Sequence, residues 1–507
     1  MKLQTIGACA AVLEAKGLLK NRVTEETAKR AVLQLSCYSR EVREGTLFLC
    51  KGAAFHEKYL SEAVLRGASA YVSEQEYPAG REIPCLLVQD IRSAMAALAE
   101  AFYDYPADRL RIIGVTGTKG KTTTVYYIRA ILDAWLSMQG EKPSALLSSI
   151  ETYDGVNHAP AQLTTPEPLD LQRYLRTAVD AGVSCLTMEV SSQALKLQRI
   201  GGMKMETGVF LNISRDHISP LEHRNFEDYF QAKLKLFSHC RNVCVNLDAD
   251  HASRVLAAAA CAERVISFGT DSRALVRGSD VRMENGHLCF RLHLPDYEGD
   301  VRIPMHGIFN AENALAAAAA CYSMKIPPEA IVKGLAVARV NGRMEEYVSR
   351  DRKQTVIVDY AHNRLSFEKL FASVQVEYPE RPVAVVFGCT GGKAYNRRKD
   401  LAQVADRYAD RIYLAPDDPG PEDPRKIAGE IMSYLQGKKQ SCVYVDDRRE
   451  AVRMALAEAA PYSVLLVLGK GCEATQRYAD GVRSCMSDGE IVRRALEEYD
   501  KKHDASA

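Results

Sequence analysis

Gly114-Val115-Thr116-Gly117-Thr118-Lys119-Gly120-Lys121-Thr122-Thr123 gathers glycine, lysine and hydroxyl groups at the end of an apolar run, Leu110 to Val115. Glycines after a buried strand let successive backbone N–H groups turn toward one anion, and a following helix adds the positive end of its dipole. Lys121 supplies charge, and the Thr122 hydroxyl can ligate Mg²⁺. The chemistry is that of a cradle for nucleotide phosphates, with Gly117, Thr118, Lys119, Gly120, Lys121, Thr122 and Thr123 as its contacts. The segment departs from the strict G-x-x-x-x-G-K-[ST] pattern, because Val115 stands where the first glycine would be. A turn that only joins strand to helix is the plainer alternative, but Gly-Lys-Thr has few structural uses at such a junction.

Glu189 is the second candidate. It closes the apolar run Cys185-Leu186-Thr187-Met188, where a carboxylate is costly to bury without a cation. Mg²⁺ takes one or two protein oxygens and completes its octahedron with phosphates and water. Glu189 and Thr122 suit that demand.

The elements that must hold these groups alternate. Up to residue 107, short apolar runs (Thr46 to Cys50, Ala70 to Val72, Cys85 to Val88) mix with amphipathic stretches and end at the connector Tyr103-Asp104-Tyr105-Pro106. From 108 to 338, strand candidates Leu110 to Val115, Cys185 to Val190, Gly208 to Ile213 and Val243 to Leu247 alternate with helical patterns such as Lys121 to Trp135 and Ala311 to Ser323. From 339 to 507 the alternation returns, with strands expected at Thr355 to Val358, Val383 to Phe387, Arg411 to Ala415, Cys442 to Val445 and Val464 to Leu468. An α/β chain of three domains with mainly parallel sheets follows, its ligands gathered at the carboxyl ends of strands.

With 507 residues the chain is too long for one core, and its formal charge of +1 disfavours a nucleic-acid surface. No apolar run reaches a membrane span, and the stretch Met1 to Lys20 lacks a cleavage pattern, so a cytoplasmic protein off the membrane is expected. The 14 cysteines are scattered, which favours reduced, mostly buried thiols over disulfides or a metal-thiolate site.

Taken in order, the phosphate loop, Leu163-Thr164-Thr165-Pro166-Glu167, Met188-Glu189-Val190-Ser191-Ser192, Asn212-Ile213-Ser214-Arg215-Asp216-His217, Asn310-Ala311-Glu312-Asn313-Ala314 and Asp359-Tyr360-Ala361-His362 resemble the motifs of the Mur ligase family. The whole chain is most similar to the MurE branch, in its lysine-adding, streptococcal type. The resemblance implies an N-terminal domain for the uridine end, a central P-loop ATPase and a C-terminal Rossmann-like domain for the amino acid. It implies a monomer that works in cytoplasmic peptidoglycan precursor synthesis on UDP-MurNAc-L-Ala-D-Glu, ATP and L-lysine. The D-glutamate carboxylate would attack the γ-phosphorus of ATP, and the amine would attack the resulting acyl phosphate.

Residue by residue, His217 resembles a ligand or positioning group for a second Mg²⁺, although a lone histidine is usually structural. Lys233, in Tyr229-Phe230-Gln231-Ala232-Lys233, matches the lysine that the family carbamylates; alone it would read as a solvated helix lysine. Lys121, Glu189, His217 and Lys233 are thus the catalytic candidates, and Thr122, Glu189, His217 and Lys233 the metal candidates. Asn310 and Asn313 match the adenine contacts, with a helix N-cap as the plainer reading of Asn310. Arg343 resembles the family's Pro-Gly-Arg arginine, with Asn341 in place of proline. Asp359 and His362 resemble groups that reach the nucleotide on domain closure. Ser39-Arg40 resembles the uridine site, with Tyr38 in place of aspartate, and Thr164, Thr165, Ser191 and Arg199 match the muramoyl-dipeptide and pyrophosphate contacts.

Members that add meso-diaminopimelate carry Asp-Asn-Pro-Arg, whose arginine forks onto the distal carboxylate. Here the segment reads Asp417-Asp418-Pro419-Gly420. The exchange moves the pocket by about two charge units toward negative at ordinary pKa values, which favours L-lysine. Lys393 takes the place of the family's other substrate arginine, Gly469 and Glu473 match the end of the pocket that receives an amine, and Cys472 replaces the usual histidine. Ornithine differs only in length, and meso-diaminopimelate is the alternative amino acid. A folylpolyglutamate synthase, sharing the ATPase core, is the rival enzyme, and a nucleotide-binding regulatory protein without catalysis is the rival of another class.

Overall fold

Buried apolar runs separated by amphipathic segments form three main sheets covered by helices. The computed structural model describes residues 4–52, 55–219, 222–437 and 441–504, so the expected outer limits at 1 and 507 lie outside the described residues. The first sheet is parallel, in the order Gln34–Ser36, Thr46–Leu49, Ala68–Ser73 and Cys85–Leu87.

The second sheet has 11 strands. At its centre Arg111–Thr116 lies between Cys185–Glu189 on one side and Met205–Phe210 on the other, all parallel. The chain order reverses at that strand, which opens a crevice beyond its carboxyl end. Register places Val115 opposite Glu189 and Thr116 opposite Phe210, so the phosphate loop and Glu189 emerge from the same edge.

Two expectations need correction. The run Gly208 to Ile213 is a strand only to Phe210. Leu211 is buried under the phosphate loop, against Gly117 and Gly120, and Ile213 joins a separate core cluster, while between them the Asn212 carbonyl accepts from the Thr118 N–H at 3.1 Å. The second sheet also continues into an antiparallel meander, Val276–Glu284, His287–Leu294 and Tyr297–Ile303. In its first strand Val276 and Gly278 are buried, and beyond them half-buried residues alternate with exposed ones, a period-2 pattern that a search for continuous apolar runs passes over.

The third sheet runs Glu345–Val348, Gln354–Asp359, Ser463–Leu468, Val383–Phe387, Arg411–Leu414 and Cys442–Tyr444, parallel except for its first strand. Every residue of Ser463–Leu468 is buried, and each Val or Leu so enclosed contributes about 2 kcal/mol. Its neighbours therefore present their carboxyl-end loops at fixed positions. The helix Pro328–Val337 lies so close to Lys121–Met138 that a Cβ at Gly334 would meet the Ile131 backbone at 2.3 Å.

Candidate active site

The helix Lys121–Met138 starts at Gly120, which has φ +86° and offers no side-chain cap. Its first N–H groups are therefore left for an anion. A Cβ at Gly120 would meet the Asn313 side-chain oxygen at 2.2 Å, so left-handed backbone and lack of space both demand glycine there. Asn212 clamps the loop at two points, accepting from the Lys119 N–H at 2.9 Å and donating to its carbonyl at 3.1 Å.

Three lysines crowd this loop. Lys121 donates to the Gly117 and Thr118 carbonyls at 3.0 and 3.3 Å, and Lys233 to the Gly117 carbonyl at 2.9 Å. Lys233, far from a solvated helix lysine, is 1% exposed with its ammonium over the Tyr229 ring. Burial, reinforced by Lys121, pushes its pKa well below the ordinary lysine value. Burial also lowers Lys121, and drives Lys119 down to about 7 against the pull of Asp216.

Asp216, which the sequence reading left without a role, is the counter-charge. It is 6% exposed. One oxygen accepts from Arg397 at 3.0 Å, the other from Asn363 at 2.6 Å, and Lys119 stands 3.8 Å away. Burial opposes its charge, yet Lys119 and Arg397 hold its pKa well below the usual carboxylate range. The adjacent His217 shares its Nδ1 with Glu222 at 2.8 Å.

The third sheet supplies the facing wall. Asp359, raised by burial, accepts from the Met344 and Ala361 N–H groups. Burial pushes His362 well below the ordinary histidine value, with Lys119 and Arg397 adding to the effect. In the neutral ring, Nδ1 donates to the Tyr360 carbonyl at 2.7 Å, which leaves Nε2 to accept from Lys119 at 3.1 Å. Arg343 stacks 4.4 Å above the Tyr360 ring and reaches the Thr122 hydroxyl at 3.3 Å.

These two walls enclose a cleft of about 440 Å³. Of the expected residues, Thr118 to Thr123, Thr164, Glu189, His217, Asn310, Asn313, Arg343, Asp359, His362, Lys393, Asp417, Asp418, Gly469 and Glu473 line it. Asn310 is not the helix cap, a place held by Phe309; its amide donates to the His306 carbonyl and accepts from Asn313. A Mg²⁺ ion fits the oxygen donors at the loop. Glu189 is 1% exposed, anchored by the Ser149 N–H at 2.7 Å, and lines the cleft beside Thr122. Among the described residues no three acidic, histidine or cysteine side chains form a metal cage of their own.

The Mur ligase middle domain matches residues 115–321, and the Mur ligase glutamate ligase domain matches residues 342–471. The chain belongs to the Mur ligase family. It is 35% identical to the UDP-N-acetylmuramyl-tripeptide synthetase of Lactobacillus acidophilus over 98% of each chain. It is 40% identical to the UDP-N-acetylmuramoyl-L-alanyl-D-glutamate--L-lysine ligase of Enterococcus faecalis, over 92% of this chain and 93% of that one. The solved structure of a UDP-N-acetylmuramoyl-L-alanyl-D-glutamate--2,6-diaminopimelate ligase is 26% identical, covers 94% of this chain and 97% of its own, and superposes with a TM-score of 0.65.

Not every expected residue of this Mur ligase lies in the cleft. Ser39 and Arg40 sit in a turn of the first sheet, where the Ser39 hydroxyl donates to Glu62 at 2.7 Å. Thr165 bonds the Glu189 carbonyl and the Ser191 N–H, and Ser191 caps the helix Ser192–Lys196. Arg199 meets Glu167 at 3.1 Å, joined there by Lys51 at 2.7 Å and Arg92 at 3.3 Å. Three cations on one carboxylate leave positive charge at the seam between the first and second sheets. Lys51, Arg92, Arg397 and Asp216 were missed because each gains its partner from a distant segment. Only the Arg397-Arg398 pair at a helix start gave a local hint.

Proposed function

We propose that this chain joins L-lysine to UDP-N-acetylmuramoyl-L-alanyl-D-glutamate in the cytoplasm, converting ATP to ADP and phosphate. The observation that carries the reading is one cleft with a cationic phosphate loop on one wall and the carboxylates Asp417, Asp418 and Glu473 on the other. A carboxylate resists attack by an amine, whereas an acyl phosphate has a good leaving group. Making that anhydride brings two anions together, and cations about the transferring group meet the electrostatic cost.

In this reading Lys121 and the loop N–H groups hold the β- and γ-phosphates. Arg343 reaches them from the third sheet, Asn310 and Asn313 hold adenine, and Asp359 and His362 close over the nucleotide. Mg²⁺, held by Thr122 and Glu189, with His217 serving a second ion, would neutralise phosphate charge. Lys233 is proposed to be carbamylated. Its burial and lowered pKa support this, since a neutral amine is the form that adds CO₂, and the product would replace a cation by an anion beside the second metal. Thr164, Thr165, Ser191 and Arg199 would hold the muramoyl-dipeptide, Ser39 and Arg40 the uridine end. Lys393 would take the α-carboxylate of the amino acid, and Asp417, Asp418, Gly469 and Glu473 its amines. The domains are proposed to divide at 107/108 and 338/339, in a monomer.

The test is ADP release with the UDP-dipeptide and each amine in turn. L-Lysine should drive it far above meso-diaminopimelate, whose second carboxylate meets like charge. A preference for meso-diaminopimelate, or turnover with a pteridine glutamate instead, would overturn the assignment.

A further inference from the structure

Counting charges along Asp417-Asp418-Pro419-Gly420 leaves out a cation that the fold brings to the same place. Lys470 follows the strand Ser463–Leu468 by two residues and is 2% exposed. It lies behind the cleft wall. Its Nζ donates to Asp418 Oδ1 at 3.1 Å and to Glu473 Oε2 at 3.4 Å. Asp417, buried beside them, adds its field, and together the three carboxylates raise the Lys470 pKa despite burial. Three acids against one ammonium leave the recess negative, but less so than the sequence suggested.

The geometry around Lys470 is built from several directions. Asp418, at φ +45°, takes both the Lys470 ammonium and the Arg477 N–H on Oδ1; among the described residues nothing bonds to Oδ2. Glu473 is held on its other oxygen by the Tyr360 hydroxyl at 2.7 Å. The Lys470 backbone is fixed from below, where Arg448 bonds the Leu468 carbonyl and pairs with Asp488, and Asp488 accepts from the Gly471 N–H. Two carboxylates so close would repel and turn apart without a cation between them.

We propose that Lys470 is the positioning residue for amino-acid selection: its ammonium aligns Asp418 and Glu473 so that their cleft-facing side receives the side-chain ammonium of a diamine. The inference rests on the reading of this recess as the amino-acid site. Lys470 does not touch the substrate in this account; it acts through the two carboxylates, and its removal should damage amino-acid recognition while sparing the nucleotide.

The experiment compares wild type, Lys470→Met and Lys470→Arg by steady-state ADP release with the UDP-dipeptide, using L-lysine and its uncharged analogue L-norleucine. In Lys470→Met, KM for L-lysine should rise about tenfold or more, and the preference for L-lysine over L-norleucine should fall by a similar factor. KM for ATP should stay within about twofold, and Lys470→Arg should recover much of the loss, because it keeps the charge. Should Lys470→Met fail to fold, Lys470→Gln and Lys470→Arg are judged by the same ratio. An active wild type beside variants with unchanged KM for L-lysine and unchanged preference overturns this inference alone. A wild type that releases no ADP with L-lysine overturns it together with the reaction reading.

Discussion

The two walls of the cleft are electrostatic opposites built on one plan. At the phosphate loop, Lys119, Lys121, Arg343 and Arg397 line the cleft, and buried Asp216 is the internal counter-charge between Lys119 and Arg397. At the other wall, Asp417, Asp418 and Glu473 line the cleft as an acidic recess, and buried Lys470 is the counter-charge. A cluster of like charges repels itself until its ligand arrives. One opposite charge, held in low dielectric, keeps it assembled while leaving its net sign intact. Asp216 also spans the seam between the second and third sheets, whereas Lys470 works within the third.

The strongest way to break the comparison is to empty the cationic wall. Lys121→Met should lower kcat by about 10³-fold or more with the fold retained by circular dichroism; a loss below tenfold would remove Lys121 from the chemistry. Lys233→Ala should lower turnover by about 10²-fold, and millimolar acetate should restore part of it by lending the missing carboxylate. Equal activity of variant and wild type would refute the carbamylation proposal.

Removing the counter-charge should cost less turnover and more stability. Asp216→Asn leaves Arg397 and Lys119 facing one another without an anion, so urea denaturation should show a loss of about 3 kcal/mol, accompanied by a raised KM for ATP. Arg397→Gln made together with it should add little, because both remove one pair. Additive losses would separate the two residues.

The smallest effect sharpens the role of the seam. His306, just before the helix Asn310–Ser323, sits between Glu346 and Glu377 of the third-sheet region. Burial alone would lower its pKa, but the two carboxylates raise it to about 9. A histidine raised on folding stabilises fully below its unfolded value near 6.5, and that stability fades as pH rises through about 9. Thermal melts should therefore show wild type more stable than His306→Gln at pH 6, with the gap closing by pH 10. A gap independent of pH would mean that packing, not charge, holds the seam.

Much of this was legible in the chain. Val383–Phe387 forms over the residues its apolar run marked, and the glycine-lysine segment lies at a strand-to-helix junction as its composition required. The antiparallel meander was not, since its alternating residues carry a weaker signal than a continuous run. Lys233 was singled out by the family resemblance and not by its bare residue type, because nothing local to a helix lysine reveals that Tyr229 and the Gly117 carbonyl enclose it.

The amino-acid sequence by itself determined the alternation of strands and helices, the phosphate loop and the kinds of charge on each wall, because periodicity and turn chemistry act between neighbours. Tertiary structure alone decided which charges meet. Asp216 and Arg397 are 181 residues apart, and Lys470 and Asp418 are 52 apart. Coulomb energy and desolvation depend on distance in space and on exclusion of water, and neither is written in the spacing along a chain.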